Sequence, residues 1–353
     1  MRHRNQRYAF LVSSPLDLRR GYGTAAAVLG LMQALHRRGK RVGLLEPSPS
    51  PLPERLAGWW FNCYVPRTLA GLDVDCVVGI DFDGYRYARR TRRHPFVSLL
   101  HGVKADELPW ESGAARSRLI RAARRESVAA RHADLVIAPS AYACRRACEE
   151  YGVDPSRTRV VPNGLDLDHW PLLPPAGGPP RVVAAGRLIR RKGLDILVSA
   201  WPAVSQAVRG AVLDIVGDGS ERDALTRLAR TLGITSSVRF HGATSQSEFR
   251  QLLLGACVFC FPSRQEAFGL ALLEAMACGR AVVAASAASI PEVTGDAAML
   301  VEPGSPDALS SALVQALSDP ALQAALAERG RSRALSFTWD RAAALFGEAT
   351  ATA

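Results

Sequence analysis

The chain has 353 residues, 48% hydrophobic and 22% charged, a balance that suits two ordinary folded domains or one large one and excludes a disordered chain or a small stapled scaffold. No uncharged apolar run approaches the roughly 18 residues of a membrane span. The net charge of +11 is uneven: residues 1–172 hold 27 Lys+Arg against 17 Asp+Glu, whereas residues 173–353 hold 17 against 16. A basic first half suits an anionic partner, whether nucleic acid, anionic lipid or a phosphorylated substrate. The bland alternative is genome composition, since 41 of the 44 basic residues are Arg in an Ala-rich chain.

The N-terminal MRHRNQRYAFLVSS is basic, but its apolar stretch is short and lacks a small-residue cleavage pattern. It reads as the lead-in to a strand rather than as a signal peptide, and a cytoplasmic location is expected. Strand candidates follow at 8–13, 41–46, 75–80, 95–100, 134–139 and 158–163, with helical patterns between them, the first at 23–38. Strands alternating with helices predict βαβ units and a parallel sheet. PLLPPAGGPP, at 171–180, then interrupts the pattern and reads as a linker, with 1–172 before it and a second domain at 181–335. Further strands are predicted at 181–186, 211–217, 237–242, 256–263, 280–286 and 297–303, and a last helix within 336–353. The expected fold class is α/β: two doubly wound, Rossmann-like domains, with ligands beyond the carboxyl ends of the strands and a central cleft as the default site.

Seven cysteines sit in apolar segments. Cys144 and Cys148 are four apart on a predicted helix, and Cys257 and Cys260 are three apart on a predicted strand, so neither pair completes a zinc site. They are expected to be free thiols, and no metal site is expected.

Two segments of the second half carry chemistry. In AAGRLIRRKGLDIL (184–197), Arg187 and Lys192 stand between a strand and a helix start. Cations beside the open amides of a helix N-terminus make an anion site, with phosphate or diphosphate as the anion. In FPSRQEAFGLALLEAMACGRAVVAAS (261–286), Glu266 precedes a helix start at Phe268, Gly269 and Leu270, and Glu274 lies one turn deeper. Carboxylates accept from hydroxyls while amides and cations take phosphates, which together describe a nucleotide sugar. The alternative is an acid favouring the helix dipole and a solvated second Glu.

Glu266-x7-Glu274 with FGL between them, followed by LLEAMACGRAVVAAS, closely resembles the retaining GT-B glycosyltransferases of family 4. GRLIRRKG resembles that family's phosphate-binding segment, and PSAYACRRACEEYGVDPSRTRVVPNGLDLDHW (139–170), IVGDGSERDAL, VRFHG and FTWDRAAALF are also similar. The resemblance implies that Arg187 and Lys192 hold the donor diphosphate, Glu274 the ribose, and Glu266 with the amides of Phe268–Leu270 the sugar. It places 239–242 near the base and the last helix back on the first, acceptor-binding domain. Ala267 stands where the family usually has Gly, and Arg191 where an acid is common.

In the first half, Gly21-Tyr22-Gly23 precedes a helix. GYGTAA also fits the dinucleotide fingerprint G-x-G-x-x-A, with Glu46 as its acid, but seven residues separate Ser13 from Gly21, where that motif needs a tight turn. The resemblance instead puts Gly21 and Gly23 beneath the donor phosphates. His101 ends a predicted strand, where it suits a general base, a sugar ligand or a polar strand cap; the resemblance favours contact with the donor sugar, and Glu266 and His101 are therefore the expected catalytic pair. Asp81-Phe82-Asp83 matches the metal–diphosphate signature of the other glycosyltransferase architecture, GT-A, but a Lys/Arg site already exists and GT-B enzymes generally use no catalytic metal.

Two arginine clusters, Arg86, Arg89, Arg90, Arg92 and Arg93 beside Tyr85 and Tyr87, and Arg116, Arg118, Arg121, Arg124 and Arg125, suit a solvated helix face, an anionic membrane or nucleic acid, with nucleic acid the least favoured. The expected function is transfer of a sugar from a nucleoside-diphosphate (NDP) sugar to a glycan, lipid-linked or small-molecule acceptor, with no cofactor. The rivals are an epimerase or phosphorylase of the same fold, or a basic nucleic-acid-binding module.

Overall fold

The computed structural model describes residues 6–14, 16, 22–47, 54–173 and 177–352. They form two compact units, one made of residues up to Gly164 together with Trp339–Ala353, the other of Leu165–Thr338. The strands of the first unit are β1 (Arg7–Leu11), β2 (Arg41–Leu45), β3 (Cys76–Ile80), β4 (Phe96–Leu99), β5 (Leu135–Ala138) and β6 (Thr158–Val160). Those of the second are β7 (Arg181–Ala185), β8 (Val212–Val216), β9 (Val238–Gly242), β10 (Val258–Phe261), β11 (Ala281–Ala285) and β12 (Met299–Val301). Eleven of the twelve fall inside the predicted windows and β1 starts one residue ahead of its own, at Arg7; each sheet is wholly parallel, in the orders β2-β1-β3-β4-β5-β6 and β12-β11-β10-β7-β8-β9.

The inner strands β3, β4, β5, β10 and β11 read as apolar runs because both of their faces are covered. In β7, Val182 and Ala184 enter one core layer and Val183 the other; in β10, Val258 and Cys260 point one way, Phe259 and Phe261 the other. In the first unit Tyr8, Phe10, Val78 and Val97 form the layer under the helix Tyr22–Arg37. All seven cysteines are free, and burial pushes the Cys76 thiol up to about 12, so it is an inert core group.

The chain leaves the first unit at Gly164/Leu165, ahead of the Pro/Gly stretch at 173–180 that marks a linker in the sequence. Leu165 donates its amide to Phe337 (2.9 Å), and Trp170 is buried with its ring 6.3 Å from that of Phe249, so 165–170 belongs to the second core. The chain returns at Trp339, a few residues beyond the predicted 335. The helix Trp339–Ala351 completes the first unit: Phe346 packs on Tyr8 (5.5 Å) and Phe10 (6.1 Å), and Thr350 Oγ1 lies 2.9 Å from the Tyr8 hydroxyl. Gly30 permits this contact, since a Cβ there would come within 2.3 Å of the Trp339 ring.

Phe346 is fully buried, so Phe346→Ala is expected to destabilise the first unit by about 3–5 kcal/mol. Denaturant unfolding followed by tyrosine and tryptophan emission measures this; a loss below about 1 kcal/mol would show that the last helix is not part of that core.

Candidate functional site

In the second sheet β7 lies between β8 and β10, so the connections after β7 and β10 diverge at this point, and a doubly wound sheet opens its ligand crevice there. Those two connections, 186–193 and 262–269, hold five cations, Arg187, Arg190, Arg191, Lys192 and Arg264, against one acid, Glu266. They are cross-linked. Arg191 Nη1 donates to the Gln265 carbonyl and to Gln265 Oε1, both at 3.2 Å, and the Arg191 carbonyl accepts from Arg264 N at 2.8 Å. Arg264 grips Asp195 with two bonds of 2.7 Å. Gly193 is essential to the approach: its φ is +65°, and a Cβ would lie 2.1 Å from the Pro262 carbonyl oxygen.

Lys192 and Glu266, from opposite connections, form an ion pair beneath the Phe261 ring, whose centroid is 5.5 Å from Lys192 Nζ. Burial lowers the Lys192 pKa despite its carboxylate partner, with Arg191 and Arg187 pushing the same way. Burial pushes Glu266 upward, but Lys192, Arg191 and Arg187 outweigh it and hold the carboxylate below its ordinary value. Three cations around one carboxylate leave a positive surplus for an anion. Ser289 fixes the Glu266 backbone through Oγ (2.9 Å) and N (3.3 Å), both donating to its carbonyl. Gly269, at φ +94°, caps the helix Leu270–Ala277: its carbonyl accepts from Leu272 N (3.1 Å) and Leu273 N (3.2 Å), while the amides of Leu270 and Ala271 have no carbonyl within the helix to bond. Phe268 is buried edge-on to Phe337 (5.7 Å) and anchors that helix start. Arg187 is exposed beside the pair, and Glu274, one turn into the helix, is 1% exposed.

The stretch 239–242 forms most of β9, whose Gly242 carbonyl accepts from Gly217 N at 2.8 Å. Of the two glycines ahead of the first helix, Gly21 lies outside the described residues. Gly23 is not in a preceding loop: the helix begins at Tyr22, and Gly23 occupies its exposed first turn with nothing within 4 Å of a Cβ there.

His101 follows β4 in the first unit. Its amide donates to Asp81 Oδ1 (2.9 Å), and its Nδ1 is buried 3.8 Å from the same oxygen without a hydrogen bond. Burial lowers the His101 pKa against the pull of Asp81, so the imidazole is neutral at neutral pH. Asp81 also faces Lys104 Nζ at 3.5 Å. Asp83 instead accepts from Ser13 N (2.7 Å) and Asn62 Nδ2 (3.0 Å), and burial raises it to about 6. Both carboxylates are thus taken by protein donors, and no group of three or more His, Cys, Asp or Glu among the described residues could hold a metal.

Sequence reasoning missed Arg191 as the brace, Lys104 beside His101, and Glu126. Only three of the 44 basic residues are lysines and Lys104 is one of them, a signal that could have singled it out. Glu126 is fully buried, and its Oε2 accepts from Lys104 N (2.7 Å) and the Tyr151 hydroxyl, fixing the segment after His101. Burial raises its pKa from 4.5 to about 8. The folded state therefore keeps a proton that the unfolded chain releases, so this group's contribution to stability is lost as pH rises from about 4.5 to about 8. Glu126→Gln imitates the protonated form, and its stability relative to the parent is expected to rise steadily across that window. Denaturant unfolding at several pH values measures the difference; a constant difference would reject a protonated carboxyl at this position.

The family model for glycosyl transferases group 1 matches residues 173–333, and that for glycosyltransferase family 4 matches residues 22–169. A GDP-mannose-dependent alpha-(1-6)-phosphatidylinositol monomannoside mannosyltransferase of Mycolicibacterium smegmatis is 30% identical over 318 residues, covering 83% of this chain and 77% of the relative. A glycogen synthase of Mycobacterium tuberculosis is 32% identical over 255 residues, 70% of this chain and 61% of the relative, so the matched region spans less than two thirds of that protein. The sucrose-phosphate synthase structure from Thermosynechococcus elongatus superposes with a TM-score of 0.81 at 22% identity, covering 97% of this chain and 98% of the other, and shares the GT-B fold. With two parallel six-stranded sheets of this topology and a match to both family models, the chain belongs to the group 1, family 4 glycosyltransferases.

Proposed function

We propose that the protein transfers a hexosyl group from an NDP-sugar to an acceptor hydroxyl with retention at the anomeric carbon. The observation that carries this is the Lys192–Glu266 pair, set between the braced connections after β7 and β10 at the start of the helix Leu270–Ala277. Lys192, Arg187 and the first helix amides are assigned the diphosphate, Glu266 the sugar hydroxyls, and Glu274, which is deepest, the ribose. His101, as a neutral imidazole, is assigned a further sugar hydroxyl, and the basic first unit the acceptor. The similarity to the mannosyltransferase supports this choice of substrates, since that relative's name states a sugar nucleotide and a glycolipid acceptor.

In this mechanism the bond from the anomeric carbon to the phosphate oxygen breaks on the face where the acceptor oxygen bonds. The acceptor proton passes to the departing diphosphate, so no protein base is needed. Negative charge grows on that diphosphate in the transition state, where preorganised cations stabilise it most. No metal or cofactor enters the scheme. The free thiols suit a reducing, cytoplasmic setting.

Lys192→Ala is expected to weaken nucleoside diphosphate binding by about 1.5–3 kcal/mol, the scale of a charge-assisted hydrogen bond, and to affect the free nucleoside far less. Calorimetric titration with UDP, GDP and ADP checks this; equal losses for nucleoside and nucleotide would reject the phosphate assignment.

Glu266→Ala is expected to lower turnover by at least about 100-fold without loss of nucleotide affinity, because contacts to the transferring sugar matter most in the transition state. Sugar transfer measured with and without EDTA completes the test. Near-parental turnover in the variant would reject the Glu266 role, and strict metal dependence would reinstate Asp81 and Asp83 as ligands.

A further inference from the structure

The helix Glu54–Ala70 encloses Phe61, Val65 and Leu69 in the first unit and leaves two adjacent tryptophans open, Trp59 at 42% exposure and Trp60 at 46%. By contrast Trp170 and Trp201 are wholly buried. Adjacent open indoles form an apolar surface that water disfavours and that a partner would cover.

These rings belong to a connected surface. The Arg86 guanidinium lies 5.6 Å from the Trp59 ring centroid and 5.8 Å from that of Tyr85, and Arg125 approaches Tyr85 at 5.8 Å. On the helix Gly113–His132, Arg118 and Arg121 are exposed and share a face with Arg125 by helical spacing. The segments 57–72, 85–95 and 113–132 together hold twelve arginines and one acid, Glu126, which is buried. The cluster at 86–93 that stands out in the sequence is not all available: Arg92 is bound to Asp134 and to the His132 carbonyl (both 2.9 Å), and Arg93 Nη1 lies 3.5 Å from the Ala70 carbonyl.

We propose that this tryptophan and arginine surface of the first unit docks on an anionic lipid bilayer, with Trp59 and Trp60 at headgroup depth and the Arg118/Arg121/Arg125 row on the lipid phosphates. Indole rings partition to that depth, and exposed arginines are drawn to an anionic surface. Among the described residues no helix is long and apolar enough to cross a membrane, so the docking is peripheral. This inference is independent of the nucleotide-sugar assignment, and nucleotide binding is measured separately from docking.

The test is flotation of the full chain with phosphatidylcholine vesicles and with vesicles containing about a third phosphatidylglycerol. Binding is expected to favour the anionic vesicles by at least about ten-fold and to weaken with salt, since the attraction acts within roughly a Debye length. Replacing Arg118, Arg121 and Arg125 with Ser is expected to lower anionic-vesicle affinity by about 100-fold. Brominated acyl chains are expected to quench tryptophan emission in the parent and far less in Trp59→Phe/Trp60→Phe. Both variants are expected to keep the parental melting temperature and nucleoside diphosphate affinity. Equal affinity for neutral and anionic vesicles, no vesicle binding, quenching unchanged in the tryptophan variant, or preference for a polynucleotide over anionic vesicles at the same salt would each overturn the proposal.

Discussion

Two backbone segments that start from neighbouring strands must meet within van der Waals distance for the second unit's site to exist. The meeting point is Gly193 against the Pro262 carbonyl, and no side chain larger than hydrogen fits there. Once the connections touch, Arg191 can reach Gln265, Arg264 can reach Asp195, and Lys192 can reach Glu266. The cation surplus is therefore held by packing and hydrogen bonds rather than by the charges themselves, which would otherwise separate. Such a prepared arrangement suits a group that gains negative charge during reaction, because its cost of assembly is met in folding.

The same logic operates, with different chemistry, at the carboxyl ends of β3 and β4. Asp81 bonds the His101 amide, Glu126 bonds the Lys104 amide, and Tyr151 bonds both Glu126 and Ala105 N (3.1 Å). Low dielectric surroundings keep Glu126 protonated and His101 neutral. A neutral imidazole held in place can donate or accept a hydrogen bond to a hydroxyl, as a charged, mobile one would do less selectively. In both units some of the groups with displaced protonation equilibria, Asp81 and His101 in the first and Lys192 and Glu266 in the second, lie on the connections that follow strands, where doubly wound sheets present their sites.

The first unit's surface carries a separate consequence of its composition. Its arginines do not act as a single block: some tie the fold together, as Arg92 does with Asp134, Arg131 with the Tyr151 carbonyl (2.7 Å) and Arg116 with the Leu108 carbonyl (2.9 Å). Others lie against aromatic rings, as Arg86 does at Trp59 and Arg125 at Tyr85. Net charge alone does not separate these two populations, because each arginine adds the same unit whether its guanidinium is bound to a carbonyl or faces solvent.

The inner strands, such as β3, β10 and β11, were legible in the sequence because both of their faces are buried and each is accordingly a short, unbroken apolar run, whereas the edge strands β6 and β9, with Arg159, Arg239 and His241 exposed, were legible from the strand–helix alternation. That Arg187, Lys192 and Glu266 lie on the connections after two strands, the second ending in a helix start at Leu270, was legible because apolar runs bracket those connections; that Lys192 and Glu266 meet is decided only by the contact between the connections. The unit boundary was not: proline and glycine at 173–180 announce a break in secondary structure, whereas Leu165 and Trp170 are committed to the second core by partners at 337 and 249, far away in sequence. The brace formed by Arg191, the Glu126 hub and the Trp59–Arg86 contact likewise depend on residues 22 to 74 positions apart, as the Arg191–Gln265 and Lys104–Glu126 bonds illustrate at 74 and 22. Local pattern determines which segments pair, since burial period acts over a few residues. Only the packed tertiary structure decides which of many similar arginines, glutamates and tryptophans is enclosed, braced or left open, because burial and hydrogen-bond partners are set by distant chain and not by the residue itself.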